Sequence, residues 1–287
     1  MMGEMEPLTF AKGQATGNDF VIVPDPEGRL SLSPELVATL CHRRFGIGGD
    51  GLLRVVRTAA DPELAAYLGD AAAAEWFMDY RNADGSLAEM CGNGARVFAR
   101  YLVATGLVAT DRMTLATRAG TVAAVVTDDA VSVTLGHPTV VGESAARVGG
   151  QRLAGVAVDC GNPHLVCPVP SERELAALDL SRSPEIDPRR FPHGANVEFI
   201  TPAGGEPGGT GVRMRVHERG VGETLSCGSG ACAAAAAVLR EAGLDAGVVT
   251  VDVPGGRLTV SLTGTDCALT GPAVLVAHGS VDISALA

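Results

Sequence analysis

At 287 residues, with 46% hydrophobic side chains, the chain is long enough for two packed cores of ordinary domain size. Its formal charge of −11 argues against nucleic acid and anionic membranes as partners, since both select basic surfaces. No apolar run approaches the roughly 18 residues of a spanning helix. The acidic residues 1–9 lack the basic flank and apolar stretch of a signal peptide, so a cytoplasmic location is expected. Seven cysteines, odd in number and irregular in spacing, suit a reduced protein better than a disulfide framework.

In chain order, the first strand is predicted at 20–23. A helix follows from Ser33-Pro34-Glu35, with Ser as the cap and Pro at the first helical position, running to about Arg44. Strands are expected at 52–56 and 76–80, then an apolar helix over 92–105 that stops at Gly106. Strands at 121–126 and 131–135 precede a short helix near 171–178. Strands at 196–200 and 212–216 flank a Gly- and Pro-rich loop at 202–211. A last helix over 228–242 stops at Gly243 and is followed by strands at 248–253 and 258–262. Few helices among many strands indicate an α+β fold.

The informative feature is an internal repeat. Met90-Cys91-Gly92-Asn93-Gly94-Ala95 opens one apolar helix, and Ser226-Cys227-Gly228-Ser229-Gly230-Ala231 opens another. Asn82 stands nine residues before Cys91, and Glu218 stands nine before Cys227. Upstream, Gly17-Asn18-Asp19-Phe20-Val21 is echoed by Gly161-Asn162-Pro163-His164-Leu165. The same three features in the same order imply two homologous, strand-rich halves facing one another. The boundary is expected in the turn Thr127-Asp128-Asp129, giving halves 1–129 and 130–270, with the tail 271–287 returning to the first.

A thiol must ionise to act as a base, and the positive end of a helix favours the anion. The glycines allow a tight turn and leave backbone N–H groups free to hold a carboxylate. Two such starts therefore suit stereoinversion, one group taking an α-proton from one face and the other delivering a proton to the opposite face. Cys232, inside the alanine-rich helix, and Cys41, Cys160, Cys167 and Cys267 read as core residues.

Together with Asn82-Ala83-Asp84-Gly85-Ser86, Asn196-Val197-Glu198 and Glu218-Arg219-Gly220-Val221-Gly222-Glu223-Thr224, these runs resemble the diaminopimelate epimerases over nearly the whole chain. Trp76-Phe77-Met78-Asp79-Tyr80-Arg81 is similar to the actinobacterial branch. The resemblance implies a cofactor-free isomerase interconverting LL- and meso-diaminopimelate for lysine and peptidoglycan precursors. It implies two pseudo-symmetric halves, each a barrel-like sheet around a central helix, with the active site in the cleft between, and a homodimer. It makes Cys91 and Cys227 the acid/base pair, assisted by His164 and Glu218. Substrate contacts fall to Asn18, Asn82, Gly92, Asn93, Asn162, Asn196, Arg219, Gly228 and Ser229. Asn offers a donor and an acceptor without charge, and Arg can grip a carboxylate with two hydrogen bonds.

Two departures stand out. Gln14 precedes the first Gly-Asn run where the family often has a His, and Gly51 follows Asp50 where it often has a Gln. Other readings fare worse. Gly46-Ile47-Gly48-Gly49-Asp50-Gly51 satisfies a dinucleotide-binding pattern, but a helix precedes it and a strand follows, the reverse of what that motif needs. Cys160, His164 and Cys167 lack a matched fourth ligand, so no metal is expected. A proline-racemase-like two-cysteine enzyme is the main alternative. A non-catalytic amino-acid-binding protein is opposed by the retention of both cysteines.

Overall fold

The computed structural model describes residues 7–68, 74–203 and 210–286. Residues 204–209 of the loop read at 202–211, and residues 1–6 of the acidic N-terminus, lie outside the described residues. The chain divides into two compact units, Met1–Val133 with Pro272–Ala287, and Thr134–Gly271.

The first unit opens with β1 (Leu8–Ala15) and β2 (Asn18–Pro24), then α1 (Pro34–Cys41) and β3 (Gly51–Arg57). It continues through α2 (Pro62–Ala65), β4 (Trp76–Asn82), α3 (Gly92–Ala104), β5 (Arg112–Thr117), β6 (Gly120–Val126) and β7 (Val131–Leu135). Strands β1 to β7 pair in chain order, with β2–β3 and β4–β5 parallel and the others antiparallel. The strand Val274–Val281 returns to pair antiparallel with β1. Thr127 to Ala130 make the β6–β7 turn, closed by the Thr127 N–H to Ala130 carbonyl hydrogen bond at 2.9 Å.

Helix α3 touches β1 to β6 and the strand Val274–Val281, so this sheet wraps around it. A helix enclosed in this way is apolar or small on most sides, and here Asn93 and Arg96 are the buried polar residues. Gly92 through Ala99, Tyr101 and Leu102 are all buried. Phe20 and Phe98, both fully buried, each contribute on the order of 2–3 kcal/mol by leaving water.

The second unit holds β8 (Thr139–Val148), β9 (Gln151–Asp159), β10 (Pro163–Pro168), α4 (Glu172–Ala177), β11 (Glu185–Ile186), β12 (Asn196–Pro202) and β13 (Gly211–Glu218). After these come β14 (Gly222–Thr224), α5 (Gly228–Glu241), β15 (Gly247–Val253), β16 (Gly256–Leu262) and β17 (Cys267–Gly271). Its main strands run β8-β9-β10-β12-β13-β15-β16-β17, with β10–β12 and β13–β15 parallel. The order and the placement of parallel pairs repeat those of the first unit. Strand β18 is the returning Val274–Val281.

Helix α5 contacts all eight of those strands. Its run Ala233 to Ala237 combines the best helix-forming residue with the smallest side chain, which lets the strands close around it.

The expected α+β class holds. The four helices expected at 33–44, 92–105, 171–178 and 228–242 are α1, α3, α4 and α5. Helix α1 stops at Cys41, short of Arg44. His42 leaves the helix, and its Nδ1 accepts from the N–H groups of Arg44 and Phe45 at 3.2 and 3.0 Å. The chain then folds back so tightly that a Cβ on Gly46 would meet the Thr39 carbonyl.

Candidate active site

In the first unit Cys91 is the N-cap of α3, with extended backbone angles (φ −143°, ψ 120°). Its sulfur accepts the Gly94 N–H at 3.3 Å. The thiol donates toward Asn18 Oδ1 at 3.7 Å, and Asn93 Nδ2 donates to the same oxygen at 3.2 Å. Asn93 Oδ1 in turn accepts from the fully buried Arg96 at 2.6 Å. Asn18 Nδ2 donates to Asp50 at 2.8 Å, and Asp50 also receives the Asp19 N–H and pairs with Arg43. The glycine loop before β3 thus fixes Asn18 through Asp50. Asp19 lies between Lys12 and Arg43. Burial would raise its carboxyl, but these cations hold it down at about 2.

In the second unit Cys227 is the N-cap of α5 (φ −121°, ψ 117°), and its sulfur lies 3.6 Å from Ser229 Oγ. Burial pushes this thiol well above its ordinary value. The nearby Glu218 and Glu198 carboxylates add to the shift, while the Ser229 hydroxyl and Gly230 N–H oppose it. Glu218 is itself raised, chiefly by burial, although it accepts hydrogen bonds from Thr224 and Cys227. His164 and Glu198 are both fully buried, with Nδ1 to Oε1 at 2.7 Å. The other ring nitrogen, Nε2, is 3.0 Å from Asn162 Oδ1. Asn196 Oδ1 accepts the Arg219 N–H at 2.9 Å, and the exposed Arg219 passes its stem over Gly194.

Two cysteines thus cap two enclosed helices within one chain, Cys91 beside Asn18 and Cys227 beside Ser229 and Glu218. A family model described as diaminopimelate epimerase matches residues 10–141 and 156–276. A diaminopimelate epimerase from Rhodococcus erythropolis is 50% identical, covering 96% of this chain and 97% of that one. Another, from Corynebacterium glutamicum, is 49% identical and covers 96% and 99%.

The chain belongs to the diaminopimelate epimerase family.

Among solved structures, a PhzF-family phenazine biosynthesis protein from Bacillus anthracis is similar at a TM-score of 0.73 and 17% identity, covering 96% of this chain and 99% of that one. A hydroxyproline epimerase from Agrobacterium vitis, with bound trans-4-OH-L-proline, gives 0.65 at 17% identity, covering 96% and 92%. At such identities the likeness is one of fold.

Against the residues that the diaminopimelate epimerase motifs suggest, Cys91, Gly92, Asn93 and Asn18 come together in the first unit. Asn82 ends β4 and spends its amide in its own turn, donating to Ser86 Oγ at 2.9 Å. In the second unit Cys227, Gly228, Ser229 and Glu218 cluster at the start of α5, and Glu218 ends β13 as Asn82 ends β4. His164 reaches Glu198 and Asn162.

At Cys227 burial and the Glu218 and Glu198 carboxylates favour the neutral thiol, opposite to what a helix start by itself favours. The departures from the family pattern also have structural consequences. Gln14 accepts the Gly17 N–H at 2.9 Å and ties the β1–β2 turn, where Thr16 sits at φ 49°. A Cβ on Gly51 would lie 2.6 Å from the Arg81 carbonyl.

Among the described residues no group of three or more His, Cys, Asp or Glu side chains could hold a metal. Cys160 and Cys167 donate to the backbone carbonyls of Ser229 and Leu153. Glu198 carried no role in the sequence reading. Its available signal was an acid inside the apolar strand run Val197-Glu198-Phe199-Ile200.

Proposed function

We propose that the chain interconverts LL- and meso-diaminopimelate by passing the α-proton of one amino-acid end between Cys91 and Cys227. The observation that carries this reading is the duplicated cysteine N-cap in a chain of this isomerase family. The same reading puts the chain in lysine biosynthesis and in supply of peptidoglycan precursors.

In one direction Cys91, once ionised, is the base, and Cys227, whose ionisation burial and Glu218 oppose, is the acid. Cys91 takes the proton from Cα, leaving the electron pair on carbon, and Cys227 delivers its proton to the opposite face. The protein then holds a Cys91 thiol and a Cys227 thiolate, and the reverse reaction exchanges their roles.

The carbanion is costly, so the carboxylate must be held by hydrogen bonds that strengthen as charge builds. The N–H groups of Gly92, Gly228 and Ser229, at the starts of α3 and α5 where no carbonyl of the same helix is in reach, suit that task, with Asn93 beside them. Asn18, Asn82, Asn162, Asn196 and Arg219 recognise the remaining polar groups, including those of the non-reacting end.

The test is incubation with LL-diaminopimelate in heavy water, followed by NMR. Deuterium at the α-carbon and meso product are expected, and each of Cys91→Ala and Cys227→Ala is expected to abolish turnover. Exchange on proline instead would establish the proline-racemase-like alternative. Turnover retained in either cysteine variant would rule out the two-base scheme.

A further inference from the structure

The internal repeat supplies a control for the chemistry around each cysteine. In the first unit Phe20 pairs with Gly51 across β2–β3, and in the second His164 pairs with Asn196 across β10–β12. His164 therefore stands where Phe20 stands, and Glu198, two residues beyond Asn196, stands where Leu53 does. Gly94 faces Phe20 and Leu53, and Gly230 faces Glu198. A Cβ on Gly94 would meet Leu53 Cδ2 at 3.4 Å and Phe20 Cζ at 3.6 Å, in ordinary contact. One on Gly230 would meet Glu198 Oε1 at 2.6 Å, and Cys227 Cβ at 3.2 Å.

The fold does not need an ionisable pair at this place, since Phe20 and Leu53 fill the equivalent space, both fully buried. Burying a carboxylate costs several kcal/mol of desolvation unless it is well bonded. Glu198 bears that cost while fully buried, and its Oε2 has no hydrogen-bond partner among the described residues. Its one side-chain bond goes to His164 Nδ1.

We propose that Glu198 is the positioning residue of the Cys227 cluster. By accepting from His164 Nδ1 it sets the face that Nε2 turns to Asn162, and so the end of the Asn162 amide presented to substrate. This rests on the reading of Asn162 as a substrate-binding residue. An ionised carboxylate only accepts, so Nδ1 must donate, and the partner of one ring nitrogen governs what the other can do. Asn162 Oδ1 is the end beside Nε2, which leaves the Nδ2 amide to donate to a carboxylate of the amino acid. The first unit has no such relay, because its equivalent positions are Phe20 and Leu53. There the Asn18 amide is fixed instead by Asp50.

The experiment compares wild type with Glu198→Gln, whose amide can donate to Nδ1 and so frees the ring from that constraint. Ring ¹⁵N NMR of His164 in the full chain is expected to show a protonated Nδ1 in wild type and a changed pattern in E198Q. A fall in kcat/KM for diaminopimelate of roughly 10-fold or more, carried mainly by KM, should accompany it, the scale of one buried hydrogen bond. Adding E198Q to Asn162→Ala should then cost nothing further.

A folded E198Q with an unchanged His164 spectrum, or with losses that add fully to those of Asn162→Ala, would overturn the inference while leaving the Asn162 reading intact. Wild-type KM in Asn162→Ala alone would instead remove the reading on which it rests. Should E198Q fail to fold, Gly230→Ala probes the same contact by displacing Oε1, with the same spectral change expected and an unchanged spectrum counting against it.

Discussion

The thiol of Cys91 points at Asn18 Oδ1 across 3.7 Å, and that oxygen also receives the Asn93 amide. Asn18→Asp would put a negative charge there in place of a neutral oxygen. At that separation the repulsion on a thiolate is on the order of 1 kcal/mol even at the dielectric of water, about fivefold in ionised fraction. Alkylation of Cys91, followed by mass spectrometry of its peptide at neutral pH, should slow by about that factor or more in Asn18→Asp. Asn18→Ala should leave the ionisation closer to wild type while weakening substrate binding. Equal alkylation rates in Asn18→Asp and wild type would show that the contact does not govern the thiol.

Cys227 should behave as a neutral thiol through the physiological range. Burial comes first and the Glu218 and Glu198 carboxylates second, and both push its ionisation upward from 9.0. Removing a negative neighbour favours the thiolate, so Glu218→Gln should move the alkylation profile of Cys227 to lower pH while reducing turnover. Superimposable profiles for the two proteins would refute the coupling.

Asp79 is fully buried in the first unit and pairs with Arg54, Arg81 and Arg118. Burial by itself would raise its carboxyl, but the Arg118 and Arg81 contacts reverse this and hold it below the ordinary 3.8. A carboxylate with a depressed value stabilises the fold above its unfolded pKa and loses that contribution as pH falls through the folded one. Asp79→Asn is therefore expected to cost about 3–5 kcal/mol at neutral pH, because it strands buried cations. In urea unfolding, the gap between variant and wild type should narrow as pH drops below about 4. A gap independent of pH would argue against ionisation of Asp79 as its source.

Gly51→Gln would install the residue that the family often carries, yet it should not improve this protein. The new Cβ falls 2.6 Å from the Arg81 carbonyl and 2.7 Å from the Tyr80 ring, so β3 and β4 would have to separate. Overpacking of this kind costs typically about 1–3 kcal/mol. A lower denaturation midpoint is expected, together with lower activity, because β3 follows directly on the Asp50 that holds Asn18.

Helices were the most readable elements, for local reasons. Ser33-Pro34 begins α1, the Cys-Gly turns begin α3 and α5, and Gly106 and Gly243 adopt the positive φ that follows a helix end. Strands β1, β5 and β9 were not singled out, because their polar and small residues give a weak local pattern. Strand β1 also takes a partner far along the chain, Leu8 lying opposite Val281. The early stop of α1 was also hidden, since it depends on how closely Gly46 folds back over Thr39.

The sequence by itself determined that two Cys-Gly-x-Gly helix starts exist, that an asparagine motif precedes each, and that the chain carries the diaminopimelate epimerase motifs in order. Those features are local or repeated, and residue identity suffices to read them. Only the tertiary structure decided that Asn18 is held by Asp50, that Asn82 closes its own turn, and that His164 is held by Glu198. It also decided that Cys227 is driven toward its neutral form, whereas helix position alone suggested the opposite. The physical reason is shared. Burial and the approach of charges depend on which strands lie side by side, and a strand residue such as Glu198 shows its partner only when β10 and β12 pair.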